Sequence, residues 1–320
     1  MRRATLIYNP LAGPANLLPT IELVIDIWRA RGWQTEVCAT QAAGHAADLA
    51  RQAAEAGHEL VLAAGGDGTL GEVANGLAGS ETVMAPLPVG TANSFAKELL
   101  MPRPGLVNRQ KLLQAADVLA DGLVQCMDLG FTRREGGNGR YWMLWAGTGA
   151  DGYLVHALEP RPKWSKRIGP LGYALQGLTL APTLPDMHAK VEIDGRIYED
   201  DYVLVLISNC RMYGGEITLS PKAYLDDGLF EVWLFRGKGL AKTMGYIAKA
   251  LRGAHLDDPN VQLIHGRSIT VHTDPIMPCQ TDGDRAGHTP LSCEIKPGAL
   301  RLLCPATAPA DLFSQPGKPL

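Results

Sequence analysis

The sequence predicts an α/β N-terminal domain, a parallel sheet covered by helices, followed by a C-terminal domain that is mostly antiparallel β. Three observations carry this. Short apolar runs alternate with helix-period segments over the first third of the chain. A glycine-rich turn, Gly65-Gly66-Asp67-Gly68-Thr69, joins one such run to a helical pattern. Further on, segments that favour strand predominate, and Asp194-Gly195 between two of them is a hairpin signal, because a type I′ turn needs positive φ at its centre.

The first strand spans residues 5–8 and is closed by Asn9-Pro10. Its apolar run is too short for a signal peptide despite Arg2-Arg3 before it. A helix over 18–31, a strand over 33–39, a helix over 45–56 and a strand over 60–64 follow. A helix over 69–77 and a strand over 82–86 complete the alternation. After one more helix near 107–119, strands are expected over 125–131, 141–146, 187–193, 196–209, 229–235, 268–273, 291–295 and 300–304. Residues 133–140, rich in glycine and charge, read as an exposed hairpin loop. These patterns divide the chain into residues 1–124, 125–304 and a proline-containing, poorly ordered tail over 305–320.

In an open parallel sheet, ligands sit beyond the carboxyl ends of the strands. Asn9, Thr40, the turn at 65–69 and the segment Gly90-Thr91-Ala92-Asn93 all fall there, so four loops converge on one crevice. Glycines in a strand-to-helix turn let backbone N–H groups approach an anion, with the helix dipole behind them. Asp67 points further, to phosphoryl transfer, since a carboxylate beside bound phosphate is repelled unless a metal ion or a proton transfer needs it. Thr69 and Glu72 also have a plain reading as a capping box.

The composition fits a cytosolic globular enzyme: 320 residues, 46% hydrophobic and 20% charged, are enough for two ordinary cores. A net charge of −3 gives no overall attraction for nucleic acid. Six cysteines without Cys-x-x-Cys spacing argue against a zinc site or a disulfide framework. No window has the roughly 20 apolar residues of a membrane span.

Three more segments stand in order around the glycine turn: Tyr8-Asn9-Pro10-Leu11-Ala12-Gly13, Pro88-Val89-Gly90-Thr91-Ala92-Asn93-Ser94, and Ser220-Pro221-Lys222-Ala223-Tyr224-Leu225-Asp226-Asp227-Gly228-Leu229. With these the chain resembles the diacylglycerol kinase catalytic-domain family, in particular its bacterial soluble lipid kinases, relatives of sphingosine and ceramide kinases. Asp128-Leu129-Gly130, Gly147-x-Gly149-x-Asp151, Ile207-Ser208-Asn209, Gly214-Gly215, Asp282-Gly283-Asp284 and Pro297-Gly298-Ala299-Leu300 extend the resemblance over nearly the whole chain.

The resemblance implies a fold like that of NAD kinase and phosphofructokinase, and transfer of the γ-phosphoryl group of ATP to a lipid hydroxyl with Mg²⁺. It implies an ATP site at Asn9, Thr40, Gly65, Gly66, Asp67, Gly68, Thr69, Leu70, Gly71, Glu72, Thr91 and Asn93. It implies a structural Mg²⁺ on the Asp227 carboxylate and the carbonyls of Tyr224 and Leu229, hard oxygen ligands of the kind Mg²⁺ prefers. By position Asp284 is the base; the family usually has Glu there, so Asp282 is the alternative as base or as ligand of a catalytic Mg²⁺.

Two departures concern Asp67. A lysine common after Gly13 is replaced by Pro14-Ala15-Asn16, and a frequent aspartate after Asn93 is Ser94. Asp67 thus loses both expected partners, which keeps open a non-catalytic lipid-binding relative. NAD kinase shares the glycine turn, but Leu70-Gly71-Glu72-Val73-Ala74-Asn75 and Asp226-Asp227-Gly228 resemble the lipid kinases instead.

For the membrane surface there are two candidates: the basic cluster Arg161-Pro162-Lys163-Trp164-Ser165-Lys166-Arg167, and a helix over 240–251 whose Leu240, Met244, Ile247 and Leu251 form a stripe suited to either a core or a membrane surface. Residues 171–184 are apolar enough to line an acyl-chain pocket. The expected partner is a lipid at the inner face of the membrane, met by a cytoplasmic enzyme that forms a homodimer if it follows the commonest assembly.

Overall fold

The computed structural model of the protein describes residues 2–13, 17–90, 93–102, 110–133, 139–158, 184–215 and 217–320. Thr91, the basic cluster at 161–167 and all but the last residue of the apolar segment at 171–184 lie outside them. The chain forms two compact units, one from Met1–Leu129, Tyr224–Asp227 and Pro297–Leu320, the other from Gly130–Ala223 and Gly228–Lys296.

The first unit alternates β1 (Arg2–Tyr8), α1 (Leu18–Ala30), β2 (Trp33–Ala39), α2 (His45–Glu55), β3 (Leu60–Gly65), α3 (Asp67–Leu77) and β4 (Val83–Pro88). Then come α4 (Ser94–Glu98), α5 (Gln110–Ala120) and β5 (Leu123–Arg133). Strands β2, β1, β3 and β4 pair in that order, all parallel. Every residue of β3 and β4 is buried, the mark of central parallel strands with both faces covered. Helix α1 buries Ile21, Val24, Ile25 and Trp28, its apolar stripe at helical spacing. Helix α3 lies close on α2, because a side-chain carbon at Gly76 would collide with the Ala47 carbonyl.

Residues 305–320 are not a loose tail. Leu312 is fully buried and Phe313 nearly so. The Leu312 carbonyl accepts the Leu225 N–H at 3.0 Å, and the Asp226 carboxylate accepts from the Ser314 N–H, the Ser314 hydroxyl and the Gln315 N–H. Lys318 and Pro319 then pair with the start of β5. Proline content signals irregular backbone, which here is ordered by side-chain burial and a carboxylate clasp.

The second unit contains β6 (Gly139–Trp142), β7 (Trp145–Gly149), α6 (Ala150–Leu158), β8 (His188–Ile193), β9 (Arg196–Ser208), β10 (Met212–Tyr213), β11 (Ile217–Thr218) and β12 (Phe230–Arg236). It continues with α7 (Gly239–Ala250), β13 (Val261–Gly266), β14 (Ser268–Asp274), β15 (Pro278–Thr281), β16 (Asp284–His288) and the first part of β17 (Leu291–Cys304). Pairing is antiparallel throughout: β9 with β7, β8 and β12; β14 with β8 and β17; β15 with β7 and β16. The core gathers Trp142, Val191, Tyr202, Val205, Ile207, Phe230, Val232 and Val271. Asp194 and Gly195 both have positive φ and close the β8–β9 hairpin, with Ile193 opposite Arg196.

One strand expected over 141–146 is two, β6 and β7, because the chain turns at Met143 and Leu144, where the Asp282 carboxylate takes their amides. The two strands expected at 291–295 and 300–304 are one, with Gly298 at positive φ inside it. Near its end, Arg301 and Leu302 pair in parallel with Val83 and Met84 of β4.

Candidate active site

Three loops of the first unit meet at the carboxyl ends of β1, β3 and β4. Gly66 and Gly90 lie backbone to backbone: a side-chain carbon at Gly90 would stand 2.7 Å from the Gly66 Cα. At Gly13, with φ at +73°, it would stand 2.7 Å from the Val89 carbonyl. The Asn9 side chain bridges the first two loops, accepting from the Leu11 N–H at 2.9 Å and reaching the Thr69 hydroxyl at 3.5 Å. Thr40, half-buried, follows β2 and is tied to the Tyr8 carbonyl through its N–H.

Helix α3 begins at Asp67 with Gly66 as its extended N-cap and no side-chain cap. The Leu70 N–H makes the first bond back to the Gly66 carbonyl, so the amides of Asp67, Gly68 and Thr69 have no partner inside the helix. Gly68 faces open space. Leu70 and Gly71 are buried in the body of the helix. The capping-box reading of Thr69 and Glu72 does not hold: the Glu72 carboxylate instead accepts the Gly44 and Ala46 N–H groups at the start of α2.

Asp67 has a role that its sequence context did not announce. Its carboxylate accepts the N–H groups of Ser94 and Phe95 at 3.0 and 3.1 Å, clasping the start of α4 to the glycine turn. Two amides thus face it where the lysine and aspartate network of the family is missing. Asn93, buried and in the left-handed conformation at φ 47°, donates from its side-chain amide to the Gly90 carbonyl. Its side-chain oxygen has no hydrogen-bond partner among the described residues.

The helix-start amides, unpaired within the helix and set beside the close Gly66–Gly90 backbone contact, fit a nucleotide phosphate, whereas the Asn93 side-chain oxygen, an acceptor, fits a donor group of the nucleotide.

In the second unit, Asp282 and Gly283 form the two-residue turn between β15 and β16, both at positive φ, with Thr281 opposite Asp284. The Asp282 carboxylate accepts the N–H groups of Met143, Leu144 and Trp145 at 2.8, 2.8 and 3.2 Å. Asn209 holds the same segment from its other side, donating to the Met143 carbonyl. Burial pushes the Asp282 carboxyl up to about 6, against the pull of those amides and of Arg140. Asp284 is different: its carboxylate is 44% exposed and pairs with the Arg140 guanidinium at 2.6 Å.

A further acid lies on α6. Asp151 is 6% exposed and accepts from the Tyr213 hydroxyl and from the Gln280 side-chain amide. Burial is the main cause of its rise to about 6, opposed by both hydrogen bonds. Its carboxylate lies where a side-chain carbon at Gly147 would reach, at 2.8 Å, which accounts for Gly147 in the Gly-x-Gly-x-Asp pattern. Gln280 also accepts the Gly283 N–H, linking Asp151 to the Asp282 turn. Arg140, Tyr213 and Gln280 were not read as site residues from sequence. Arg140 stood at the edge of an apparent loop, and Gln280 belongs to a four-residue strand with no pattern of its own.

In the Asp-Asp-Gly segment, Asp226 clasps Ser314 and Gln315 as described, and Tyr224 is 40% exposed. Among the described residues no group of three or more His, Cys, Asp or Glu could hold a metal. The set expected from the resemblance has one carboxylate and two main-chain carbonyls, including that of Leu229, so Mg²⁺ there would rest largely on backbone oxygen.

Comparison with known proteins decides the family. The diacylglycerol kinase catalytic domain matches residues 3–132, and the YegS C-terminal NAD kinase beta sandwich-like domain matches residues 147–304. A diacylglycerol kinase of Bacillus subtilis (strain 168) is 32% identical over 91% of this chain and 92% of its own length. The chain belongs to the diacylglycerol kinase catalytic-domain family. A second family member, a diacylglycerol kinase of Staphylococcus carnosus, is 30% identical over 90% of both chains. The crystal structure of a diacylglycerol kinase from Bacillus anthracis str. Sterne has the same fold, with a TM-score of 0.72 at 24% identity over 96% of this chain and 98% of that one.

Proposed function

We propose that the protein is an ATP-dependent lipid kinase that phosphorylates a hydroxyl of a membrane lipid of the diacylglycerol, phosphatidylglycerol or sphingoid kind. The carrying observation is the junction of Gly66 and Gly90, with Asp67 clasping α4 beside it. That junction leaves the first amides of α3 to bind phosphate oxygens.

ATP, when bound, supplies the γ-phosphoryl group. Asn9, Gly66, Gly68, Thr69 and Asn93 are assigned to its binding, with Thr40 at the margin of the same crevice. Asp67 orients the loop that carries Asn93. Mg²⁺ is assigned to Asp227 and the carbonyls of Tyr224 and Leu229.

Of the two acids in the Asp-Gly-Asp turn, Asp284 is proposed to accept the hydroxyl proton. What supports this is that three backbone amides occupy the Asp282 carboxylate, while that of Asp284 is partly exposed. Arg140 would hold the Asp284 carboxylate in place. No helix among the described residues is long and apolar enough to cross a membrane, so the acceptor would be met at the bilayer surface.

The test is transfer of label from γ-labelled ATP with Mg²⁺ to a lipid panel in mixed micelles, with NAD as a competing acceptor and Asp67→Ala in parallel. A labelled lipid made by the wild type and lost in Asp67→Ala is expected. Label on NAD, or no labelled lipid from an enzyme that binds ATP, would overturn the reading.

A further inference from the structure

Helix α7 has two apolar faces, and the second unit uses only one. Thr243, Tyr246 and Ala250 face inward. Tyr246 sets its ring edge-on to Phe235 and donates its hydroxyl to the Arg236 carbonyl at 2.5 Å. The stripe that the sequence marks out is not this face. Met244, Ile247 and Leu251 are 38, 41 and 62% exposed, with Leu240 half-buried one turn before them and Ala241 and Ala248 exposed alongside.

The charge on this helix has one sign. It carries Lys242 and Lys249 and no acid, and the exposed Arg252 follows it with no ion pair among the described residues. Lys249 neutralises Asp258 at 2.6 Å, and Asp186 caps the helix start through the Gly239 N–H. Asp257 is the remaining acid in the turn after the helix. Exposed aliphatic side chains at i, i+3 and i+7, flanked by long cationic ones, match a helix lying in the headgroup layer of an anionic bilayer.

We propose that α7 is a docking helix for an anionic lipid surface. Met244, Ile247 and Leu251 enter the acyl boundary, while Lys242 and Arg252 meet the headgroups. The inference rests on the lipid-kinase reading for its reason to approach a membrane, and it adds the face by which the protein does so. The same stripe could meet a second copy of the chain, but a cationic face opposed to itself repels, whereas an anionic surface is complementary.

The test is sedimentation of the full chain with vesicles of phosphatidylglycerol and phosphatidylcholine, and with vesicles of phosphatidylcholine alone. The wild type should bind the anionic vesicles, and the triple variant Met244→Gln, Ile247→Gln, Leu251→Gln should bind about tenfold or more weakly. Arg252→Glu should weaken binding to the anionic vesicles only. Because all four side chains are exposed, melting temperature and turnover of a dispersed short-chain diacylglycerol should stay at wild-type levels. A triple variant that sediments like the wild type would overturn the proposal. So would a wild-type dimer that the triple variant dissociates, which would give the stripe to a second copy. Stripe-dependent vesicle binding by a wild type that phosphorylates no short-chain acceptor would uphold the docking face and count against the kinase reading instead.

Discussion

Asp282 and Asp284 are two residues apart and face opposite demands. Asp282 closes the turn and accepts from three amides of the Met143–Trp145 segment, while Asp284 lies against Arg140 with part of its carboxylate exposed. Asp282→Asn puts an amide N–H against backbone N–H groups and should lower stability by about 1–3 kcal/mol, read by denaturant unfolding. If Asp284 is the base as proposed, Arg140→Ala should leave folding intact and lower kcat with little change in KM, with Arg140→Lys restoring part of the loss, since the guanidinium would then position that carboxylate. Asp151 makes a prediction in pH. Its carboxyl lies at about 6 in the folded chain against 3.8 in its ordinary state. Between those values the native state holds a proton that the unfolded chain releases. Stability should therefore rise as pH falls through that window and be flat above it. Asp282 contributes with the same sign, so Asp151→Asn should make the slope shallower without abolishing it. An unchanged slope would remove Asp151 as its source.

At the scale of elements, close backbone contacts fix the geometry. Gly90→Ala would push the Gly66 turn away, and ATP affinity measured by calorimetry should fall about tenfold or more. Leu312→Ala should cost about 2–5 kcal/mol, because the side chain is fully buried; a loose tail would make it neutral. The elements legible in the sequence were those with strong local patterns. The alternation of β1 to β4 with α1 to α3 and the Asp194-Gly195 hairpin are set by apolar periodicity and turn chemistry. Strands β13, β15 and β16 were not legible: β15 and β16 are four and five residues long, and β13 alternates only weakly between partly buried and exposed positions. Helix α7 was legible as a helix, but its stripe does not face the core, since Tyr246 takes that place. Periodicity reports which residues share a face, not what that face meets.

Across the whole molecule, the boundary expected near residue 124 and the separate tail give way to a first unit that takes back Tyr224–Asp227 and Pro297–Leu320. Asp128 and Leu225 show why. The Asp128 carboxylate accepts the Gly298 N–H at 2.7 Å, the Asp128 N–H bonds the Leu225 carbonyl, and Leu225 in turn bonds Leu312. Such long-range bonds leave no trace in local composition, so the pieces of the first unit had to be found in space. The candidate site was more legible than the partition. Its loops carry glycines and an aspartate whose types are dictated by close approach and anion chemistry. Arg140 and Gln280 were not, because their roles arise only from β-strand register. The proposed chemistry makes Asp284 the base, and a single variant tests that role. The rate of labelled lipid phosphate formation by Asp284→Ala, at saturating ATP and with its melting temperature measured alongside, should fall at least about 100-fold with folding unchanged. Wild-type turnover in that variant would contradict the account.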